Sequence, residues 1–331
     1  MTVVESRPCV LVFAGLDPSG GAGLTADAHA IAGQGAHALT VCTALTVQDN
    51  DRVYGVQPVD AELVLRQARV LADKVAISAV KIGITGSAAN ARAIAEFIAW
   101  LRERQAMAHA PPGAAPAGLL PALAAPDLPV VLDPVLASGH GDLLSRDDAA
   151  QALAPLLPLT TVLTPNGPEA QALSDATRPD AQAHALRARG CRHVLITGGH
   201  GDGDEVVNRW YAPGPPTARA TATAGHATAH DGPPARVSLT TAAAHGDQPA
   251  RAGLAITAAP SASDGGCHRE WRWPRIDGAF HGSGCTLASA IAAQLALGLP
   301  TAIALEHAQH YVYHALRDAY AIAPGQRIPL R

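Results

Sequence analysis

CVLVFAGLDPSGGAGLTADAHAIAG, residues 9–33, carries the reading of the fold. Cys9 to Gly15 is an apolar run of strand length, the pattern of a strand buried on both faces. It ends in a glycine-rich turn, and Gly23 to Gly33 is helical in pattern. A buried strand that feeds a helix through a glycine turn is the opening unit of an α/β sheet. Ligands in such sheets bind where the turns leave the strands.

The alternation continues along the chain. Strand-like runs are expected at His37–Leu45, Ala76–Ile82, Pro129–Asp133, Thr161–Thr164 and His193–Thr197, with a hairpin strand at Glu205–Tyr211. Helical patterns cover Asp60–Lys74 (Asp60 as N-cap), Ala88–Arg104, Asp147–Leu156 and Ala181–Arg189, and a helix starts at Pro168–Leu173. Two more helices, Gly284–Leu297 and Thr301–Ala321, close the chain. This order predicts a mostly parallel sheet with helices on both faces, in a single domain over residues 1–331. Two stretches break the rhythm, at about 105–127 and 213–266. Both are poor in large apolar residues and read as flexible inserts. His226, His230 and His245 in the second lack tight ligand spacing and read as solvated loop residues.

The bulk numbers narrow the function classes. With 331 residues, 48% of them hydrophobic, the chain has enough apolar mass for a large core. A net charge of −4 gives no electrostatic footprint for nucleic acid or anionic lipid. Five cysteines form no C-x-x-C pair, which argues against a disulfide framework and for a cytoplasmic protein. The first residues do not have the pattern of a signal peptide, and no apolar stretch has the length of a membrane span.

Five motifs carry chemistry. His281-Gly282-Ser283-Gly284-Cys285-Thr286-Leu287 opens the apolar run Ala288–Leu299. Its glycines bring backbone N–H groups close to a ligand at a helix start, which suits an anion. Cys285 lies in the first turn, where the helix field favours its thiolate and makes it a proton acceptor. The plainer reading is a turn before a core helix, with Cys285 a small buried hydrophobe. Gly21-x-Gly23-x-x-Ala26 fits the dinucleotide fingerprint formally, with Asp49 required to hold the ribose. The same glycines also allow close approach to a small flat substrate, with Asp17 and Asp27 as polar anchors at the mouth. Thr164-Pro165-Asn166-Gly167-Pro168-Glu169 offers an amide and a carboxylate for a hydrated Mg²⁺, or a capping box. Asp133 ends a strand before the glycine loop that runs to Asp142, and Thr197-Gly198-Gly199-His200-Gly201 is another glycine turn after a strand.

Together and in order, GLDPSGGAGLTAD (15–27), CTALTVQDN (42–50), KIGI (81–84), VLDPVLASGHGD (131–142), LTPNGPEA (163–170), ITGGH (196–200) and HGSGCTLASAIAA (281–293) resemble the ribokinase-like superfamily. Within it they are most similar to the hydroxymethylpyrimidine/phosphomethylpyrimidine kinases of thiamine biosynthesis, which carry Cys where sugar kinases carry Asp in the last motif. The resemblance implies an α/β fold, a ribokinase-like three-layer α/β/α sandwich. It implies ATP and Mg²⁺, a homodimer, and two phosphorylations. The first acts on 4-amino-5-hydroxymethyl-2-methylpyrimidine and the second on its monophosphate. By resemblance Gln48 reads the pyrimidine edge, and Gly15, Ala22, Asp27, Ile84 and Val135 line its pocket. Gly282, Gly284 and Cys285 form the anion hole and catalytic position. Asn166, Thr197, Gly199 and Ser283 face the nucleotide, and Glu169 and Asp133 the metal.

The sequence departs from the family pattern at three of these positions. Thr197 replaces a frequent lysine, Ser283 a common threonine and Ile84 a common methionine. A pyridoxal-type kinase, a nicotinamide-dependent dehydrogenase and a non-catalytic pyrimidine-binding member are the rival readings.

Overall fold

The computed structural model describes residues 6–108, 128–136, 149–201, 203–213 and 269–331. The expectations for 109–127, for Ala137–Asp142, for the start of the helix at Asp147 and for 214–266 with its histidines lie outside these residues. Among the described residues nine strands form one sheet, in the order β3-β2-β1-β4-β5-β6-β7-β8-β9. The strands are β1 (Cys9–Leu16), β2 (His37–Gln48), β3 (Val53–Pro58), β4 (Ile77–Ile82), β5 (Val130–Leu132), β6 (Val162–Leu163), β7 (His193–Ile196), β8 (Glu205–Tyr211) and β9 (Arg269–Pro274). Those from β2 through β7 in the sheet order pair in parallel. The antiparallel pairs sit at the edges, β2 with β3 on one side, and β7 with β8 and β8 with β9 on the other.

The period-2 alternation of strand side chains divides the core into two layers. Leu11, Phe13, Val80, Ile82, Val130 and Leu132 face one side. There they pack against α2 (Ala61–Lys74), α3 (Ala88–Ala108), α5 (Gly167–Ser174) and α6 (Pro179–Ala188). Val10, Val12, Ala79 and Val131 face the other, against α1 (Gly23–Gly33), α7 (Ser283–Ala296) and α8 (Thr301–Arg317). The result is the three-layer α/β/α sandwich expected from the sequence. Among the described residues no helix is long and apolar enough to cross a membrane.

Local chemistry explains most element ends. Asp60 caps α2, its carboxylate accepting from the backbone N–H groups of Glu62 (3.0 Å) and Leu63 (3.2 Å). Such a cap contributes about 1 kcal/mol. The helix expected at Asp147–Leu156 shrinks to α4 (Ala149–Ala152) and a 3₁₀ turn at Leu157–Leu159. Pro155 and Pro158 have no N–H to continue it. Gln105 to Ala108, expected to open an insert, belong to α3, and Gln105 Nε2 donates to the Ile77 carbonyl at 2.9 Å. Strands β3 and β9 were not anticipated. The β3 segment carries Gly55 and Pro58, which mask a strand, but Arg269–Pro274 alternates buried Trp271 and Trp273 with exposed Arg272. Its partner β8 lies on the far side of residues 212–268, so the hairpin is long-range.

One polar group breaks the apolar layer against α1 and α7. Lys81 on β4 is fully buried, and its ammonium donates to both Asp27 carboxylate oxygens on α1, at 2.8 and 2.9 Å. Ser289 on α7 donates to the same carboxylate at 2.7 Å. Burial works against the Lys81 charge, but Asp27 and the nearby Cys285 and Asp133 hold its pKa above the ordinary value. Removing one member of a buried pair strands the other charge, at a cost of roughly 3–5 kcal/mol. Asp27→Ala is therefore expected to lower unfolding stability by about that amount in urea titrations. A loss below about 1 kcal/mol would show that Lys81 finds another partner or water.

Candidate active site

A cleft of about 570 Å³ opens at the C-terminal ends of the parallel strands. The chain turns from β1 to β2 on one side and later to β4 on the other, so the strand order reverses between β1 and β4. Ligands in open α/β sheets bind at such a switch point. Gly15, Gly83 and Ile84, Asp133, Thr164 and Thr197 line the cleft from the ends of β1, β4, β5, β6 and β7.

One wall is the turn after β1. Asp17 is buried and accepts from the Ser19 N–H (2.8 Å), the Ser19 hydroxyl (2.9 Å) and the Ala22 N–H (2.7 Å). Burial alone would raise its carboxyl. Hydrogen bonds from His281, Ser19 and Ala22 outweigh that and hold it below the usual range. The turn closes onto β1 because Gly23 has φ 57° and a Cβ there would overlap the Gly15 carbonyl. Gln48 lines the same wall. Its Nε2 donates to Thr46 Oγ1 (2.7 Å), which donates to the Leu16 carbonyl (2.8 Å), so its side chain is tied to the end of β1. Ala22 and Val135 also line the cleft.

The opposite wall is the start of α7. Gly282 is its N-cap, with φ 79° and no side-chain capping bond. The first-turn amides therefore have no intrahelical partner. Gly282, Ser283, Gly284 and Cys285 line the cleft there. His281 Nε2 lies 2.8 Å from Asp17 and joins this wall to the first one.

The third wall holds the acidic groups. Asn166 and Glu169 form a complete capping box: Glu169 N–H donates to Asn166 Oδ1, and Asn166 N–H to Glu169 Oε2, both at 2.9 Å. The capping reading of this motif holds, and both residues also line the cleft. A parallel bridge sets Asn166 beside Thr197, and Gly199 lies next along the same wall. Burial, with the Asp133 charge beside it, pushes the Glu169 carboxyl up to about 8. Burial and the Asp27 charge push Asp133 up to about 6, against the pull of Lys81. Asp133 Oδ2 is buried without a hydrogen-bond partner. Two carboxyl groups held above their ordinary range beside an orphaned acceptor are short of positive charge. Among the described residues no group of three or more His, Cys, Asp or Glu could hold a metal. A cation that keeps most of its waters suits this donor set, which is the preference of Mg²⁺.

Four expectations are corrected. Asp27 is not a cleft-lining residue, because its carboxylate is buried beneath the floor in the pair with Lys81. Asp17 is likewise no free anchor at the mouth, since its oxygens are taken by the turn and His281. The Cys285 thiol is not lowered. Burial pushes it up to about 12, Asp27 and Asp133 push the same way, and Lys81 and the Gly23 amide pull against them. The helix end offers only about half a charge, too little to reverse desolvation beside two carboxylates. Asp49, which a dinucleotide site would need for the ribose, is committed to the β2–β3 turn. It accepts from the Asp51 and Arg52 N–H groups (2.8 Å each) and the Tyr54 hydroxyl (3.0 Å).

Several cleft residues escaped the sequence reading. Lys81 was visible as a lone charge inside the apolar strand ISAVKI. Asn208 on β8 accepts from the Gly198 N–H (3.0 Å) and donates to Gln309 (2.8 Å), which also accepts from Trp273 Nε1 (3.2 Å). This amide chain fixes the glycine turn after β7, and its members are far apart in sequence.

Comparison with known proteins agrees with this geometry. The family described as Phosphomethylpyrimidine kinase matches residues 17–108, 118–252 and 255–329. A hydroxymethylpyrimidine/phosphomethylpyrimidine kinase of Streptomyces coelicolor is 30% identical over 325 residues, covering 96% of this chain and 92% of the relative. In fold, the chain is similar to Bacillus subtilis pyridoxal kinase in an ADP complex, with a TM-score of 0.67 and 22% identity over 98% of this chain and 97% of that one. It is also similar to a phosphomethylpyrimidine kinase from Clostridium difficile 630, with a TM-score of 0.60 and 22% identity over 94% and 100% of the two chains.

The raised Glu169 carboxyl has a consequence for stability. The folded protein keeps its proton up to about pH 8, whereas the unfolded chain releases it near 4.5. Between those values the unfolded state binds fewer protons, so stability falls as pH rises. Glu169→Gln keeps the capping geometry and has no proton to lose. In metal-free buffer its urea midpoint is expected to fall less than that of the wild type between pH 5 and 8.5. Parallel profiles would place the Glu169 titration elsewhere.

Proposed function

The chain belongs to the phosphomethylpyrimidine kinase family, and from that premise we propose that it transfers the terminal phosphoryl group of ATP to 4-amino-5-hydroxymethyl-2-methylpyrimidine, and then to the resulting monophosphate. The observation that carries this reading is the meeting of two walls across one cleft. The first-turn amides of α7 stand opposite the pocket made by the β1 turn, Gln48, Ile84 and Val135. An alcohol held on one wall meets a phosphate held on the other.

Phosphoryl transfer asks for position and charge neutralisation rather than covalent chemistry. Gln48 and Val135 orient the ring, with Ile84 closing over Gly15. The amides of Ser283, Gly284 and Cys285 take the oxygens of the moving phosphoryl group. The turns at Asn166 and Gly199 carry the nucleotide side, where Thr197 contributes a hydroxyl in place of a cation. Asp133 and Glu169 would hold Mg²⁺, with the Asn166 amide beside them. That ion supplies neutralising charge to the nucleotide phosphates when bound. With its thiol near 12, Cys285 enters the reaction protonated and does not withdraw the proton of the acceptor hydroxyl. In a loose transition state that proton leaves late, to the oxygens of the transferred phosphoryl group and from there to water, so a strong base is not needed early.

The likeness to pyridoxal kinases favours one second reading, a pyridine alcohol as acceptor. Steady-state assays with the pyrimidine alcohol, its monophosphate and pyridoxal decide between them. We expect kcat/KM at least tenfold higher for the pyrimidine alcohol than for pyridoxal. The reverse order, or no turnover of either pyrimidine, overturns the proposal. Cys285→Ala is expected to lower kcat by about tenfold or less, not the ~10²–10⁴ of a lost general base. A thousandfold loss would restore the sulfur as proton acceptor.

A further inference from the structure

We propose that Arg331 is a positioning residue for phosphoryl transfer: its guanidinium locks the Gly21 turn to the Gly282 turn and so fixes the spacing between acceptor and anion hole. This rests on the kinase reading above. The two turns are far apart in sequence and meet through the His281–Asp17 bond and through backbone. A Cβ on Gly282 would overlap the Gly21 carbonyl, and φ 79° excludes most side chains there in any case. At Gly21 and Gly282 themselves neither residue has a side chain to interlock, so a further group must hold the register there.

The Arg331 side chain does so from behind the cleft. Its Nη2 donates to the Gly21 carbonyl at 2.6 Å and lies 3.4 Å from the Gly282 carbonyl. Its Nε donates to Thr286 Oγ1 at 2.9 Å, and that hydroxyl donates on to the Gly282 carbonyl at 2.7 Å. One planar fork thus bridges both turns, which a point charge on a flexible stem cannot do. The arginine does not line the cleft, so it acts through the backbone. A cation on the Gly282 carbonyl also polarises the peptide unit it shares with the Ser283 N–H. That makes the N–H a stronger donor to an anion on its other side.

The approach of the chain to this point is laced as well. The Arg327 N–H donates to the Ala279 carbonyl and the Arg327 carbonyl accepts from the His281 N–H, both at 2.9 Å, and Leu330 N–H donates to the Ala315 carbonyl at 2.9 Å. Asn50, two residues past Gln48, donates to the Gln326 carbonyl at 3.0 Å. The segment therefore ties the ring-reading wall, the phosphate wall and α8 together, and Arg331 completes it.

The test compares Arg331→Ala and Arg331→Lys in the full chain by two readouts. Hydrogen exchange needs no substrate. In Arg331→Ala, peptides spanning Gly21 and Gly282 are expected to exchange at least tenfold faster, with the β4–β5 core unchanged. In turnover, kcat falls at least tenfold while KM for ATP stays within threefold. Arg331→Lys recovers only part of the loss, and millimolar methylguanidinium restores activity to the alanine variant. Unchanged exchange with kcat within threefold of wild type overturns the proposal. If Arg331→Ala does not fold, Thr286→Val removes the hydroxyl link alone and is expected to speed exchange at the same two peptides. Unaltered exchange there likewise overturns it. A wild type that phosphorylates neither alcohol refutes the kinase assignment, whereas the exchange result judges the lock independently.

Discussion

The Lys81–Asp27 pair is the constraint on which the site depends. It places two charges in a layer otherwise built from Val, Ala, Ile and Leu, where neither side chain reaches solvent. Taking both from water costs several kcal/mol per ion, and their attraction recovers that only with good geometry. The geometry here is bidentate, and Ser289 satisfies a further lone pair. The pair therefore acts less as a source of stability than as a locator. Only one mutual arrangement of β4, α1 and α7 satisfies it, and those three elements carry the floor of the cleft, the turn after β1 and the glycine-capped start of α7.

The same charges set the electrostatic character of the cleft. Burial raises both Asp133 and Glu169, and the pull of Lys81 on Asp133 does not offset it. The Cys285 thiol is raised by the same surroundings. The cleft thus sets an acidic wall against a wall of first-turn backbone N–H groups. An anionic phosphate suits the second, and a hydrated cation between phosphate and carboxylates suits the first. Thr197, which adds no charge, leaves that balance to the backbone and the ion.

Most of the sandwich was legible because its parallel strands are short, apolar and bounded by glycine turns. The runs at Cys9, Ile77, Val130 and His193 could hardly be placed elsewhere than in a buried sheet. The edges were harder. β3 carries a glycine and a proline, and β9 finds its partner only across residues 212–268, a separation that local pattern does not reveal. In the site, residues in glycine turns were found because such turns advertise close backbone approach. Asp27 was misplaced because a carboxylate just after a glycine turn looks the same in sequence whether it faces a ligand or a buried lysine. The direction of the Cys285 shift was missed for a related reason. The helix start is local and visible, while the burial that outweighs it, with the carboxylates of Asp27 and Asp133 adding to it, comes from tertiary packing. Arg331 reaches Gly21 across 310 positions and Asn208 reaches Gln309 across 101, beyond any motif.

The β8–β9 hairpin sets Trp210 opposite Arg269 at the outer rim of the sheet. Pairing across so long a separation in sequence has a large closure entropy, so this edge of the sheet closes after the parallel strands have formed. Trp273 and the amide chain through Gln309 therefore take their places late in folding.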